Sequence, residues 1–443
     1  MKKIFALVLA LCMVLSLAAC GGGQGGGANA GNVSAGFSAE DAFDTDAFIA
    51  TIPEELKGTT VTFLNWYKVA DRQAEYDNVK AFEAASGIKV NLIDAEYGKA
   101  YADKLAGLVA TGDAPDVIRM SKPDISWMKM LQPITNSGYD FSAPEWNSSV
   151  KEMYSVDGYQ YAANLTYTPF VVFSLLQYYT EDMEEYGYED PLALWKKGEW
   201  TFEKLEDMCD EWIKQGADYY GVGTVNYSMI ANTVGKDFVT YDGKQWQMNL
   251  YDSELLDIWR HTIEQKESRI FVQSTNTTFG ATKHEAMFAS VDSTSLEASS
   301  QYGDKMKRRG VWGVVPLPTY KDYEYHVSTG ELIGWGMPIG AKNPKAVPYF
   351  IAWYANLAKY DMDSFFYDER CKEIFIDLTS RPKRFTTMSS AMFSFNANPF
   401  VWHLFNNAAS SQITTFIQQQ EYRCQDKLNQ WNDAFANMNK EVK

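Results

Sequence analysis

Rings that carry a polar handle are the main chemical resource of this 443-residue chain, in which 13 Trp and 27 Tyr stand beside 25 Phe and aromatics reach 15% of the sequence. A packed core rarely needs so many Trp and Tyr, whereas a half-wet ligand cleft uses their apolar faces and polar tips together. The sets that would support catalysis are missing from the sequence. No glycine-rich phosphate loop runs into Lys-Ser/Thr, and no G-x-S-x-G elbow is present. His261, His284, His326 and His403 are scattered, and none pairs with another in a metal-ligand spacing. The five Cys contain no C-x-x-C, which argues against a zinc site or a redox motif. Neither a metal nor a cofactor is therefore expected. Cys209 falls on an apolar helical face, and one disulfide among Cys209, Cys371 and Cys424 stays open. A pair of cleft carboxylates for glycoside cleavage also stays open, because such a pair need not be close in sequence.

These residues need elements to position them. Thr59–Asn65 is β-branched and aromatic, as a strand should be. A helix over 71–86 stops at Gly87, Ile88–Asp94 alternates as a second strand, and a stripe of Tyr101, Leu105, Leu108 and Val109 stops at Gly112. Gly112 and Pro115 turn the chain into a third strand from Asp116, and Asp113 and Asp116 read as turn chemistry. The order β-α-β-α-β with short links predicts parallel strands with right-handed crossovers, hence an α/β class. In such sheets ligands bind outside the carboxyl ends of the strands.

Further on, 159–167 reads as a strand and 170–177 as a strongly apolar run. Thr201 caps a helix whose buried face is Leu205, Met208, Cys209, Trp212 and Ile213. Tyr241–Lys244 is a hairpin turn, 253–267 a helix, and Ala286–Val291 a strand leading to Asp292. Val311–Pro318 is extended, 332–337 is a glycine-spaced strand, and 348–359 is a helix with Pro in its first turn. A closing helical stripe runs through Cys424, Leu428, Trp431 and Phe435. With no tandem repeat and no second linker, 57–443 is expected to form one compact unit.

The N-terminus carries a different signal. Two Lys, an apolar run from Ile4 to Leu17 and small residues before Cys20 make a secretory signal too short to span a bilayer comfortably. Leu17-Ala-Ala-Cys20 resembles a bacterial lipobox, which implies that residues 1–19 are removed and that Cys20 is lipidated. Two acyl chains give stable anchoring, and the Gly-rich run behind Cys20, with the rest of 20–57, reads as a flexible tether. The net charge is −17, and loss of Lys2 and Lys3 with the signal makes it more negative still. That balance excludes a nucleic-acid partner, which needs a basic patch, and suits solubility outside a cell.

Ala110-Thr-Gly-Asp-Ala-Pro-Asp-Val117 resembles the family 1 extracellular solute-binding proteins, the lipoprotein receptors of carbohydrate ABC importers. Phe82–Val90, Lys197-Gly-Glu-Trp-Thr201, Glu285-Ala-Met287 and Trp312–Pro318 with Ala341-Lys-Asn-Pro344 agree with that family in the same order. The resemblance implies a two-lobe periplasmic-binding-protein-like fold of type II, with a hinge and an interlobe cleft. It places 58–165 plus 310–365 in lobe one, and 166–309 plus 366–443 in lobe two. It further implies a monomeric, exported, lipid-anchored protein on the outer face of the bacterial cell membrane, which closes on a carbohydrate and hands it to the transmembrane subunits of an ABC permease.

A pyranose has an apolar C–H face for aromatic rings and a rim of hydroxyls for Asp, Glu, Asn and Arg. On that basis the expected contacts are Asn65, Trp66 and Tyr67 after strand one, and Ser121 and Asp124 after strand three. Thr166 and Tyr167 are expected at the crossing between lobes, Asn232 in a second-lobe loop and Asp292 after its strand. Glu331 and Trp335 flank the glycine-spaced strand, and Arg384 completes the set. Trp195, Trp212 and Trp431 sit on helical stripes and are assigned to the core. A surface glycoside hydrolase, or a receptor for a non-sugar solute, are the competing readings.

Overall fold

The computed structural model describes residues 44–166, 168, 173–223, 227–242, 244–272, 285–298, 312–329, 331–356, 362–381, 384–386, 394–395 and 398–438. Cys20, the signal, the Gly-rich run and Tyr167 lie outside the described residues, and of Arg384 only the backbone is described.

The expected tether ends earlier than 57. Asp44 caps a short helix, α1 (Thr45–Ile49), by accepting from the Ala47 amide at 2.9 Å. Ile49, Ile52 and Leu56 are buried, and the Phe48 ring stacks on Tyr349 at 4.9 Å. Apolar residues at this helical spacing cover lobe one, so from Asp44 onward the chain is folded.

Next come β1 (Thr60–Asn65), α2 (Gln73–Ser86), β2 (Lys89–Asp94), α3 (Lys99–Ala110) and β3 (Val117–Met120). Gly87 ends α2 in the left-handed conformation at φ 72°, which glycine adopts without strain. β1 pairs in parallel with β2 and β3, so the three carboxyl ends share one edge. Asp116 ties this unit together: its carboxylate accepts from the Thr62 amide at 2.8 Å and from the Asn343 amide at 2.6 Å. α4 (Ile125–Met128) and β4 (Leu131–Gln132) follow. The strand expected over 159–167 is two short pieces, Tyr159–Gln160 in a hairpin and β5 (Ala162–Ala163).

A second sheet is built from β6 (Leu175–Tyr179), β7 (Tyr220–Gly223), β8 (Phe271–Val272), β9 (Ala286–Val291) and β10 (Trp312–Pro316), in the order β8-β7-β9-β6-β10. α5 (Phe202–Ile213) starts at Thr201, whose Oγ1 accepts from the Lys204 amide, and it buries Leu205, Met208, Cys209 and Trp212 as its periodicity predicts. α6 is Ser253–Glu267. β10 corrects the lobe boundary, because it pairs with β6 along Trp312–Pro316 and so belongs to the second sheet, not to lobe one.

The chain rejoins the first sheet only at Glu331. β11 (Gly334–Pro338) runs antiparallel to β3, β4 and β5, giving six strands in the order β2-β1-β3-β11-β4 with β5 beside β11. The two glycines of β11 are forced by close packing: a Cβ on Gly334 would lie 2.8 Å from the Tyr154 ring, and one on Gly336 would lie 2.8 Å from Leu131 and Met120 methyls. α7 (Val347–Tyr354) covers this sheet, and the chain then leaves again for α8 (Glu369–Ser380) and α9 (Ile413–Met438) on the second lobe. Asn432 bolts α9 to the strand Trp246–Met248, accepting from the Trp246 amide at 2.7 Å and donating to its carbonyl at 2.9 Å. Cys209, Cys371 and Cys424 are buried free thiols, so the disulfide left open by the sequence is not formed.

Candidate functional site

Four segments converge at the carboxyl edge of the first sheet. Asn65-Trp66-Tyr67 leaves β1, Tyr97 follows β2, Ser121–Asp124 leaves β3, and Glu331–Leu332 enters β11 from the same side because that strand is antiparallel. The edge is stitched by the Leu332 amide donating to the Ser121 carbonyl at 2.7 Å, and by the hydroxyls of Tyr97 and Ser121 at 2.8 Å.

Rings form the apolar half of the site. Trp66 is partly buried and meets Tyr97 edge-on at 5.5 Å and Tyr101 at 6.0 Å. Tyr97 leaves 49% of its surface exposed, an unusual value for a ring in this fold. The Arg119 guanidinium lies 4.5 Å from the Trp66 ring centre and donates to the Tyr67 hydroxyl at 2.6 Å. Tyr67 in turn donates to Glu75, at 2.6 Å. Burial and the Glu75 charge push the Tyr67 hydroxyl above its ordinary pKa, with Arg119 pulling the other way.

Carboxylates form the other half. Burial pushes the Glu331 carboxyl above the usual carboxylate range; Arg119 and Lys122 oppose the shift, and Asp292 adds to it. Asp292 belongs to the second lobe, at the end of β9, and its charge acts on Glu331. Asp292 also caps Ser293–Leu296 by accepting from the Thr294 amide at 3.0 Å. Asp124 caps α4 in the same manner, taking the Ser126 amide at 2.8 Å and its hydroxyl at 2.6 Å. Burial, Glu331 and Asp124 together raise the Tyr97 hydroxyl above its ordinary pKa, with Ser121 opposing.

The expected contacts therefore divide. Trp66, Tyr67, Asp124 and Glu331 meet at this edge, and Asp292 stands at the end of β9 on the second lobe. Asn65 and Ser121 are there too but are buried, so they support the site from beneath. Trp335 is a correction. It is fully buried among Phe63, Phe350 and Tyr354, because the two-residue period of β11 turns it toward α7. Asn232 is a second correction, wholly buried at the end of the helix Tyr227–Asn232. Thr166 is still held on lobe one, its amide donating to the Glu145 carbonyl at 2.9 Å.

Tyr97 and Arg119 were missed. Tyr97 stands just past a strand's carboxyl end, the position that singled out Trp66. Arg119 is a charge inside the apolar run Val117-Ile-Arg-Met120, and a buried charge requires partners. Among the described residues no group of three or more His, Cys, Asp or Glu is placed to hold a metal ion, and no helix is long and apolar enough to cross a membrane.

The profile of the family described as bacterial extracellular solute-binding protein matches residues 66–358. No curated protein matches the sequence. Among solved structures, the galacto-N-biose/lacto-N-biose I-binding protein of an ABC transporter from Bifidobacterium longum, in complex with lacto-N-biose, is similar over 88% of this chain and 99% of its own, with 14% identity and a TM-score of 0.54. UgpB from Mycobacterium tuberculosis, in complex with glycerophosphocholine, is similar over 84% of this chain and 99% of its own, with 16% identity and a TM-score of 0.57. An extracellular solute-binding protein from Staphylococcus aureus, in complex with maltose, covers 87% of this chain and 99% of its own at 13% identity and a TM-score of 0.54. At these identities the likeness is one of fold.

Proposed function

This chain belongs to the bacterial extracellular solute-binding proteins, and from that premise we propose that it captures a carbohydrate between its lobes and delivers it to an ABC permease. The observation that carries the reading is the edge where the partly buried Trp66 ring and the half-exposed Tyr97 ring stand beside Glu331, whose carboxyl also feels the charge of Asp292 on the other lobe. Rings take the C–H face of a sugar, and carboxylates from both lobes take hydroxyl donors that only a closed cleft can satisfy together. Sugar-bound neighbours of the same fold, with lacto-N-biose and with maltose, support the class of ligand.

Lipidation of Cys20 would hold the receptor at the membrane. Cys20→Ser would release it into the medium while leaving its melting temperature unchanged. Release of neither more nor less protein would refute the anchor.

The test of the function is a thermal-shift and calorimetric screen against maltose, maltotetraose, lacto-N-biose and glycerophosphocholine. A ligand at 100 times its Kd stabilises the fold by about 2.7 kcal/mol. Trp66→Ala should weaken a responding sugar about tenfold or more, by loss of stacked area. A response to glycerophosphocholine alone, as the ligand of one neighbour of this fold, would replace the sugar by another solute.

One observation favours a second reading, glycoside hydrolysis: burial, with the Asp292 charge adding to it, pushes the Glu331 carboxyl above the usual carboxylate range, the direction a general acid needs. Incubation of a responding oligosaccharide with the protein separates the two. Intact sugar supports the receptor, and cleavage products lost in Glu331→Gln establish the enzyme.

A further inference from the structure

Behind the rings of the site lies a buried cation. Arg119 is only 5% exposed and sits on the central strand β3, with Trp335 opposite it in register on β11. Its guanidinium lies 4.5 Å from the Trp66 ring centre, 5.4 Å from that of Tyr67 and 6.0 Å from that of Trp335. It is held from behind by a chain of hydrogen bonds. Arg119 Nη1 donates to the Tyr67 hydroxyl at 2.6 Å, Tyr67 donates to Glu75 at 2.6 Å, and the same Glu75 oxygen accepts from Tyr354 of α7 at 2.6 Å. The other Glu75 oxygen takes Arg72 at 3.3 Å, and Arg72 also covers the Tyr67 ring at 4.1 Å. Glu75 is 5% exposed, so the chain runs from a buried anion to a buried cation and ends against the site's ring.

We propose that Arg119 is the positioning residue of the site: its planar guanidinium, held from behind by Tyr67 and Glu75, fixes the Trp66 ring for stacking. The inference rests on the proposed function, because it explains how the apolar half of that site is held in place. Fixing the ring needs a planar, fork-shaped group that stacks and donates at once, which lysine does not supply.

The role is read on ligand-free protein, so the outcome does not depend on whether a sugar binds. In protein labelled with 5-fluorotryptophan, the Trp66 resonance is assigned by its loss in Trp66→Phe. In Arg119→Met the Trp66 resonance should shift or broaden. In Arg119→Lys, which keeps the charge and loses the plane, it should still move. Tyr67→Phe, which keeps the cation and removes its hydrogen-bond acceptor, should disturb Trp66 as well. An Arg119→Met protein that folds with the Trp66 signal unmoved overturns the inference. If Arg119→Met does not fold, the lysine and phenylalanine variants decide, and an unmoved Trp66 in both overturns it equally.

Discussion

Glu331 is an acid held where its charge is poorly solvated, and that has a pH signature. Because burial raises its pKa in the fold, the folded protein binds its proton more tightly than the unfolded chain does. The stabilising contribution is therefore present below the ordinary carboxylate range and is lost as pH rises through the raised value. Glu331→Gln removes the ionisation, so at pH 7 the variant should gain on the parent, and the gain should vanish toward pH 4. Urea unfolding at a series of pH values measures this, and a gap that does not change with pH would show that Glu331 is not perturbed. Gln177 is the other residue whose chemistry is out of place. It is fully buried on β6 between Ala289 and Val314, and neither of its side-chain polar atoms has a hydrogen-bond partner. Replacing two orphaned polar groups by a similar apolar volume removes their desolvation cost, so Gln177→Leu should raise stability by about 1–3 kcal/mol. A loss of stability there would mean that the amide has a role that the apolar side chain cannot fill.

At the scale of elements, β11 shows what alternation can and cannot convey. Its glycine spacing marks it as a strand, and it is one. Alternation says that Trp335 and Met337 share a face, but not whether that face meets the cleft or α7, and the expectation for Trp335 failed on that choice. The glycines give a graded prediction. Gly334→Ala drives a Cβ against the rigid Tyr154 ring and to 3.0 Å from the Ala162 Cβ, whereas Gly336→Ala meets the ends of the flexible Leu131 and Met120 side chains. The first should cost about 1–3 kcal/mol and the second less; equal costs in chemical denaturation would contradict the packing described for β11. The β-α-β-α-β unit of 60–120 was legible because each element has its own period and its own stop. The placement of β10 was not, because the residues Trp312–Pro316 are equally good strand formers in either sheet and only pairing with β6 decides. α1 was legible and overlooked: Phe48, Ile49, Ile52 and Leu56 already have helical spacing. For the site, strand ends pointed to Trp66, Asp124, Asp292 and Glu331. The same rule applied after β2 finds Tyr97, and a lone charge in a buried strand finds Arg119.

On the scale of the whole molecule, two sheets are joined at three crossings: after Thr166, before Glu331 and after α7. With Glu331 on one lobe and Asp292 on the other as the proposed acceptors, lobe closure and ligand capture are the same event in the proposed function. The buried apolar cluster that holds Ile49, Leu56, Phe63, Trp335 and Phe350 contains only first-lobe residues. All three cysteines among the described residues lie on the other lobe, in α5, α8 and α9. Burial raises each thiol pKa, that of Cys424 to about 12, so none reacts as a thiolate while its helix is in place. The arrangement amounts to a clock placed in one half of the protein. Alkylation of these thiols under native conditions times the opening of the second lobe. Leu56→Ala weakens the first lobe by about 2 kcal/mol or more. If the halves open separately, it should leave the alkylation rate unchanged, and if they open as one it should speed all three thiols together.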